Sequence, residues 1–87
     1  MGVRRNVIEK LELPKEVVLN LPLFTIVGKE EVTIENHKGI ISYSEETIRI
    51  GTKVGDCVIH GRDLHLKQLT SDLLVICGVI GSVSFLM

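Results

Sequence analysis

From Leu23 to Met87 the chain is a succession of short β-branched runs, each cut off by glycine or a polar cluster. Val32-Thr33-Ile34, Ile40-Ile41-Ser42-Tyr43, Thr47-Ile48-Arg49-Ile50, Cys57-Val58-Ile59, Leu64-His65-Leu66, Leu73 to Ile76 and Val83-Ser84-Phe85 follow one another with barely a connecting loop. This rhythm constrains the fold more than any other feature, because it leaves no room for a layer of long helices or a large catalytic cleft. Within the runs the period is two. Val32 and Ile34 face one way, Thr33 and Glu35 the other, and Ile48/Ile50, Leu64/Leu66 and Val83/Phe85 alternate in the same manner. Such alternation marks strands with one buried and one wet face.

The punctuation is equally regular. Gly28-Lys29, Asn36-His37-Lys38-Gly39, Ser44-Glu45-Glu46, Gly55-Asp56, Gly61-Arg62-Asp63 and Ser71-Asp72 are turn signals. Connections this short favour sequential antiparallel hairpins, since parallel strands need crossovers of a dozen or more residues. The expectation is a single all-β domain over residues 1–87. About seven to eight short sequential strands would form a small antiparallel roll or sandwich from residue 23 onward. A β-solenoid is the alternative; no residue pattern repeats faithfully enough from unit to unit to favour it. The run from Leu73 to Ile80 is continuously apolar, which predicts a strand covered on both faces.

The first 22 residues read differently. Arg4 to Leu11 fits one or two helical turns, with Val7, Ile8 and Leu11 on one side. Pro14 to Pro22 brackets a short apolar stretch that fits either a helical turn begun at Pro14 or an extended edge segment. Both readings stay open, and the segment is expected as a short element packed beside the β-rich body.

Size and composition then limit function. A chain of 87 residues buries only about 60–65% of its unfolded surface. Yet 45% of the residues are hydrophobic, almost all Val, Ile and Leu, because Phe24, Phe85 and Tyr43 are the only aromatics. That is more aliphatic surface than one small core hides, and it points to self-association through an apolar strand edge. Ten basic and eleven acidic residues lie scattered without a basic stripe, so a nucleic-acid partner is not expected. The fifteen uncharged residues from Leu73 to Met87 fall short of the ~20 needed for a spanning helix, and they carry Gly78 and Gly81. Glu9, Glu12, Lys15 and Glu16 interrupt any secretory apolar core after Arg4-Arg5, so a reduced cytoplasmic setting is expected.

No constellation carries recognisable catalysis. The serines lie outside any glycine-flanked nucleophile elbow, Glu45-Glu46 reads as a solvated turn, and Gly51, Gly55 and Gly61 match no phosphate-cradling loop. Neither a small-molecule substrate nor a cofactor is expected. Cys57, His60, His65 and Cys77 are the sharpest alternative, as ligands of a small metal- or thiol-dependent binding site. Period two places Cys57 and His60 on opposite faces, and a turn separates His65 from both, so the reading of no metal site is preferred. The candidate interaction residues are Asn36, His37 and Lys38, read as a hairpin turn with His37 and Lys38 in solvent, and Leu74, Ile76, Val83 and Phe85 near the uncharged end.

Three segments together carry a resemblance. Leu13-Pro14-Lys15-Glu16-Val17-Val18-Leu19-Asn20-Leu21-Pro22, Ile34-Glu35-Asn36-His37-Lys38-Gly39-Ile40 and Gly61-Arg62-Asp63-Leu64 resemble the YabP/YqfC family of sporulation proteins, most closely its YqfC branch. The resemblance runs from about Leu11 to Leu86. It implies a non-enzymatic protein of endospore formation, acting in the cytoplasm of the mother cell, peripheral to the forespore membrane. It brings no catalytic residues; pairing with another copy or with a membrane-anchored sporulation protein is expected from the final strand, Ser82 to Phe85, and the apolar Leu73–Ile80 run.

Overall fold

The computed structural model describes residues 19–86. The helical turns expected at 4–11 and the proline-bracketed segment up to residue 18 lie outside the described residues. Within them the chain forms six strands: β1 (Leu23–Val27), β2 (Glu31–Glu35), β3 (His37–Tyr43), β4 (Thr47–Thr52), β5 (Cys57–Leu69) and β6 (Leu73–Phe85). All pair antiparallel in one open sheet of order β1-β2-β6-β5-β4-β3. The all-β expectation holds, and the architecture is neither a solenoid nor a closed barrel.

The strand count is lower than expected because four of the predicted strands are two. β5 and β6 run 13 residues each, straight through Gly61-Arg62-Asp63 and through Gly78 to Gly81. The register shifts between His60 and Gly61 and again between Arg62 and His65, so the expected turn is a bulged bend inside a long hairpin. Glycine is needed there for close approach. A Cβ on Gly61 would overlap the Val79 carbonyl, and one on Gly78 would stand 2.7 Å from the Asp63 carbonyl oxygen.

The bend divides the sheet into two halves that share a core. One half holds β3, β4, the first residues of β5 (Cys57–His60) and the end of β6 (Ser82–Phe85). The other holds β1, β2, the start of β6 (Leu73–Cys77) and the end of β5 (His65–Leu69). Phe24 pairs with Ile34, which pairs with Leu74, and Phe85 lies eleven residues further along β6. On a flat strand that is about 36 Å. The Phe24 and Phe85 rings nevertheless meet edge to face with centroids 5.3 Å apart, so the sheet is rolled over on itself.

Rolling brings the inward rows of both halves together. Val32, Ile34, Leu74 and Ile76 from one half and Ile48, Ile50, Cys57 and Ile59 from the other are fully buried in one cluster, with Leu64 and Ile80 at the bend. Each half also clamps the bend with a hairpin turn. Gly61 N–H donates to the Glu46 carbonyl and Leu64 N–H to that of Glu45, from the β3–β4 turn. Gly78 N–H donates to the Glu30 carbonyl and Ile80 N–H to that of Lys29, from the β1–β2 turn.

Candidate functional site

The Asn36-His37-Lys38-Gly39 segment is not the expected hairpin turn. β2 pairs with β1 and β6, whereas β3 pairs with β4, so Asn36 is a corner that carries the chain from one half of the sheet to the other. The corner needs a left-handed residue, and Asn36 supplies it at φ 64°. Its backbone N–H donates to the Asp72 carbonyl at 2.9 Å, and its Nδ2 to the Leu21 carbonyl at 2.8 Å. One residue thereby joins three separate stretches of chain.

His37 also departs from expectation. Its side chain is 7% exposed and does not reach into solvent. The Gly39 N–H donates to Nδ1 at 2.9 Å, so the ring proton sits on Nε2 and is donated to the Thr70 carbonyl at 2.8 Å. The imidazole is a neutral strut between β3 and the β5–β6 turn. Gly39, at φ 106°, permits the return toward the ring. Only Lys38 of this triplet stands exposed for a partner.

The residues singled out near the C-terminal end divide in the same way. Leu74 and Ile76 are fully buried by the rolled sheet, which withdraws them from any partner surface. Val83 packs partly against the core. Phe85 stays 46% exposed while its ring touches Phe24. Beside it, Leu86 N–H donates to the Asp56 carbonyl at 2.8 Å, which brings exposed Leu86 to the β4–β5 turn with exposed Val54. Arg49 pins that turn through a 2.8 Å Nε bond to the Asp56 carboxylate.

The register keeps the alternative metal or thiol donors apart. Cys57 points into the core, whereas exposed His60 faces outward opposite Ser82 with Nδ1 3.2 Å from Thr47 Oγ1. His65 stands opposite Cys77, but its Nδ1 lies 3.0 Å from the Asp63 carbonyl oxygen. Among the described residues no three His, Cys, Asp or Glu side chains converge in a geometry that could hold a metal ion. Both thiols are free. Burial pushes Cys57 up to about 11, against a lesser lowering by its hydrogen bond with Ser84. Cys77 is also raised, by burial first and then by the Glu31 carboxylate, to which its S–H donates at 3.6 Å. Both are therefore poor nucleophiles.

One exposed feature escapes run-by-run reading of the sequence: β1 itself. Leu23-Phe24-Thr25-Ile26-Val27 is an uncharged strand at the sheet edge, with Ile26 52% and Val27 56% exposed. Its signal was present in the uncharged stretch between Pro22 and Gly28. Among the described residues no helix is long and apolar enough to cross a membrane.

Comparison with known proteins gives this geometry a context. A family model described as the YabP family matches residues 22–87. The chain is 33% identical over 90 residues to a protein described as uncharacterized protein YqfC of Bacillus subtilis (strain 168), the match covering 98% of this chain and 97% of that one. No solved structure matches.

Proposed function

The chain belongs to the YabP family, and on that premise we propose that it is a non-enzymatic assembly module of endospore formation. It acts in the cytoplasm of the mother cell, peripheral to the forespore membrane, and holds proteins together through its strand edges. One observation carries this reading. Among the described residues nine large hydrophobic side chains stand between 41% and 56% exposed, and four of them, Ile26, Val27, Ile41 and Tyr43, lie on the edge strands β1 and β3. Ile26 and Val27 lie on β1; Val54 lies on the β4–β5 turn, to which Leu86, next to Phe85, is hydrogen-bonded. Apolar groups collected on edges are the chemistry of strand-to-strand association. A membrane-anchored sporulation protein is the second partner this surface would serve.

The test is complementation in a sporulating host lacking the protein, with wild type beside Phe85→Asp and Lys38→Glu, scoring heat-resistant spores and crosslinked partners from mother cells. We expect Phe85→Asp to lower spore yield and lose the partner while circular dichroism still shows a folded sheet. An unchanged spore yield without the protein overturns the sporulation role. Loss with Lys38→Glu alone moves the recognition surface to the corner.

A further inference from the structure

We propose that two copies of this chain pair through β1, antiparallel about a two-fold axis at Thr25, so that their sheets become continuous. The inference deepens the assembly reading above and rests on it.

Most other edges of the sheet are guarded, and β1 is not. Bare strand edges template the addition of further strands, and natural proteins blunt them with bulges, charges or coverings. β3, the opposite edge, has register shifts between His37 and Ile40 and between Ile40 and Ser42, and it carries exposed Lys38. Past the bend β5 is bulged twice and bears Arg62, Asp63 and Lys67, and Tyr43 Oη–H donates to the Leu64 carbonyl at 3.0 Å. The far half of β6 is covered up to Ile80 by the β1–β2 turn, and among the described residues its last stretch, Ser82–Phe85, pairs only with β5, which leaves that stretch and β1 as the unguarded edges. β1 has none of these devices. It pairs with β2 in unbroken register over all five residues and bears no charge, bulge or proline, so among the described residues shortness is its only guard.

The chemistry of β1 is also self-complementary. In an antiparallel pair centred on Thr25, Leu23 faces Val27 of the second copy, Phe24 faces Ile26, and Thr25 faces its own equivalent. Phe24 and Ile26 share the inward face, because they pair with Ile34 and Val32 in the core. The half-exposed Ile26 would then be covered by an aromatic ring, and each core row would continue into the next molecule. Cross-strand aromatic–β-branched and Thr–Thr pairs are favoured combinations. A two-fold contact of this kind closes on itself and yields a dimer, whereas β1 laid on a different edge would propagate into a filament. Five residue pairs bury less than the ~1,200 Å² of a stable complex, so the dimer is weak and reversible in dilute solution.

The two-fold makes a test that other edge contacts fail. A cysteine at position 25 meets its own copy directly across the pair, within the ~4.5–5.5 Å between Cα atoms that a disulfide spans. A cysteine at position 27 lies about 14 Å from its equivalent, out of reach. In a full-length Cys77→Ser background, Thr25→Cys and Val27→Cys are each exposed to oxidised glutathione over a concentration series. We expect Thr25→Cys to give a disulfide-linked dimer of two 9.7 kDa chains, at least tenfold faster than Val27→Cys, and adding Ile26→Lys to abolish it. Equal rates for the two cysteines, or no crosslink from Thr25→Cys, overturn the two-fold pairing. If wild type still self-associates by light scattering while Thr25→Cys does not crosslink, the β1 pairing fails and assembly through another edge stands.

Discussion

The chain passes between the two halves of its sheet by two devices that work in opposite ways. At the corner, Asn36 and His37 add hydrogen bonds: side-chain atoms reach Leu21, Gly39 and Thr70 and fill the space where β2 ends and β3 begins. At the bend, Gly61 and Gly78 subtract: the long β5–β6 hairpin folds because nothing projects between backbones that nearly touch. The corner depends on groups that are present, the bend on a group that is absent. Damage should therefore differ in size and in its route to repair.

The bend should be the less forgiving. Gly61→Ala sets a methyl against the Val79 carbonyl with Leu64 Cδ2 only 3.0 Å away, and Gly78→Ala adds a Cβ at φ +140°. Backbone cannot swing aside as a flexible side chain does. We expect either change to cost roughly 3–5 kcal/mol in urea denaturation, most of the stability of so small a domain. A loss below about 1 kcal/mol for Gly61→Ala would show that the hairpin bends for another reason.

The corner should lose less and recover more. His37→Ala leaves the part-buried Gly39 N–H and Thr70 carbonyl without their partners, a loss of about 1–3 kcal/mol. His37→Gln offers one acceptor and two donors and should recover part of it. No comparable rescue exists at Gly61, since every other residue adds the same Cβ. If glutamine is as damaging as alanine, ring shape rather than hydrogen bonding holds the corner.

Alkali gives a third reading, from the side of the core that leads into the bend. Cys57 stays a thiol to about pH 11 when folded, against an ordinary value of 9.0. The unfolded chain releases that proton first, so the contribution is complete below pH 9 and declines as pH rises toward 11. Wild type should lose on the order of 2 kcal/mol more than Cys57→Val over that range. Equal pH profiles for the two proteins would mean that the bend admits water to the first strand residues of β5.

The corner and the bend also explain what the sequence disclosed. Period two placed Val32, Ile34, Ile48 and Ile50 on the buried face, and the structure agrees, whereas Phe85, set beside Val83 by the same period, is 46% exposed. The unbroken apolar run from Leu73 to Ile80 announced a doubly covered strand; Leu74, Val75 and Ile76 are buried on both faces of β6, but Val79 beyond them is 41% exposed. The joins were not legible. Gly61-Arg62-Asp63 carries the composition of a turn, and only the approach of a distant backbone, Val79, distinguishes a bend within a strand from a reversal between two. His37 looked solvated because its neighbours Asn36 and Lys38 are polar, while the carbonyl that takes its ring proton belongs to Thr70, 33 residues away. Exposed edges were equally hidden, since β1 becomes an edge only through the partners that β2 chooses.

The smallest expected effect tests whether the corner has a second role. Lys38 sits between two residues committed to structure, yet its own side chain is exposed and no ion pair of the described residues involves it. Lys38→Glu should change stability by no more than about 0.5 kcal/mol, as surface substitutions usually do. The same reversal turns a positive point on the corner into a negative one, and any partner that reads that charge will be repelled. Binding that survives Lys38→Glu reduces the corner to a strut, leaving the edges as the recognition surface. Lost binding with unchanged stability would instead mean that the corner does two jobs, with Asn36 and His37 holding Lys38 in place for a partner to meet.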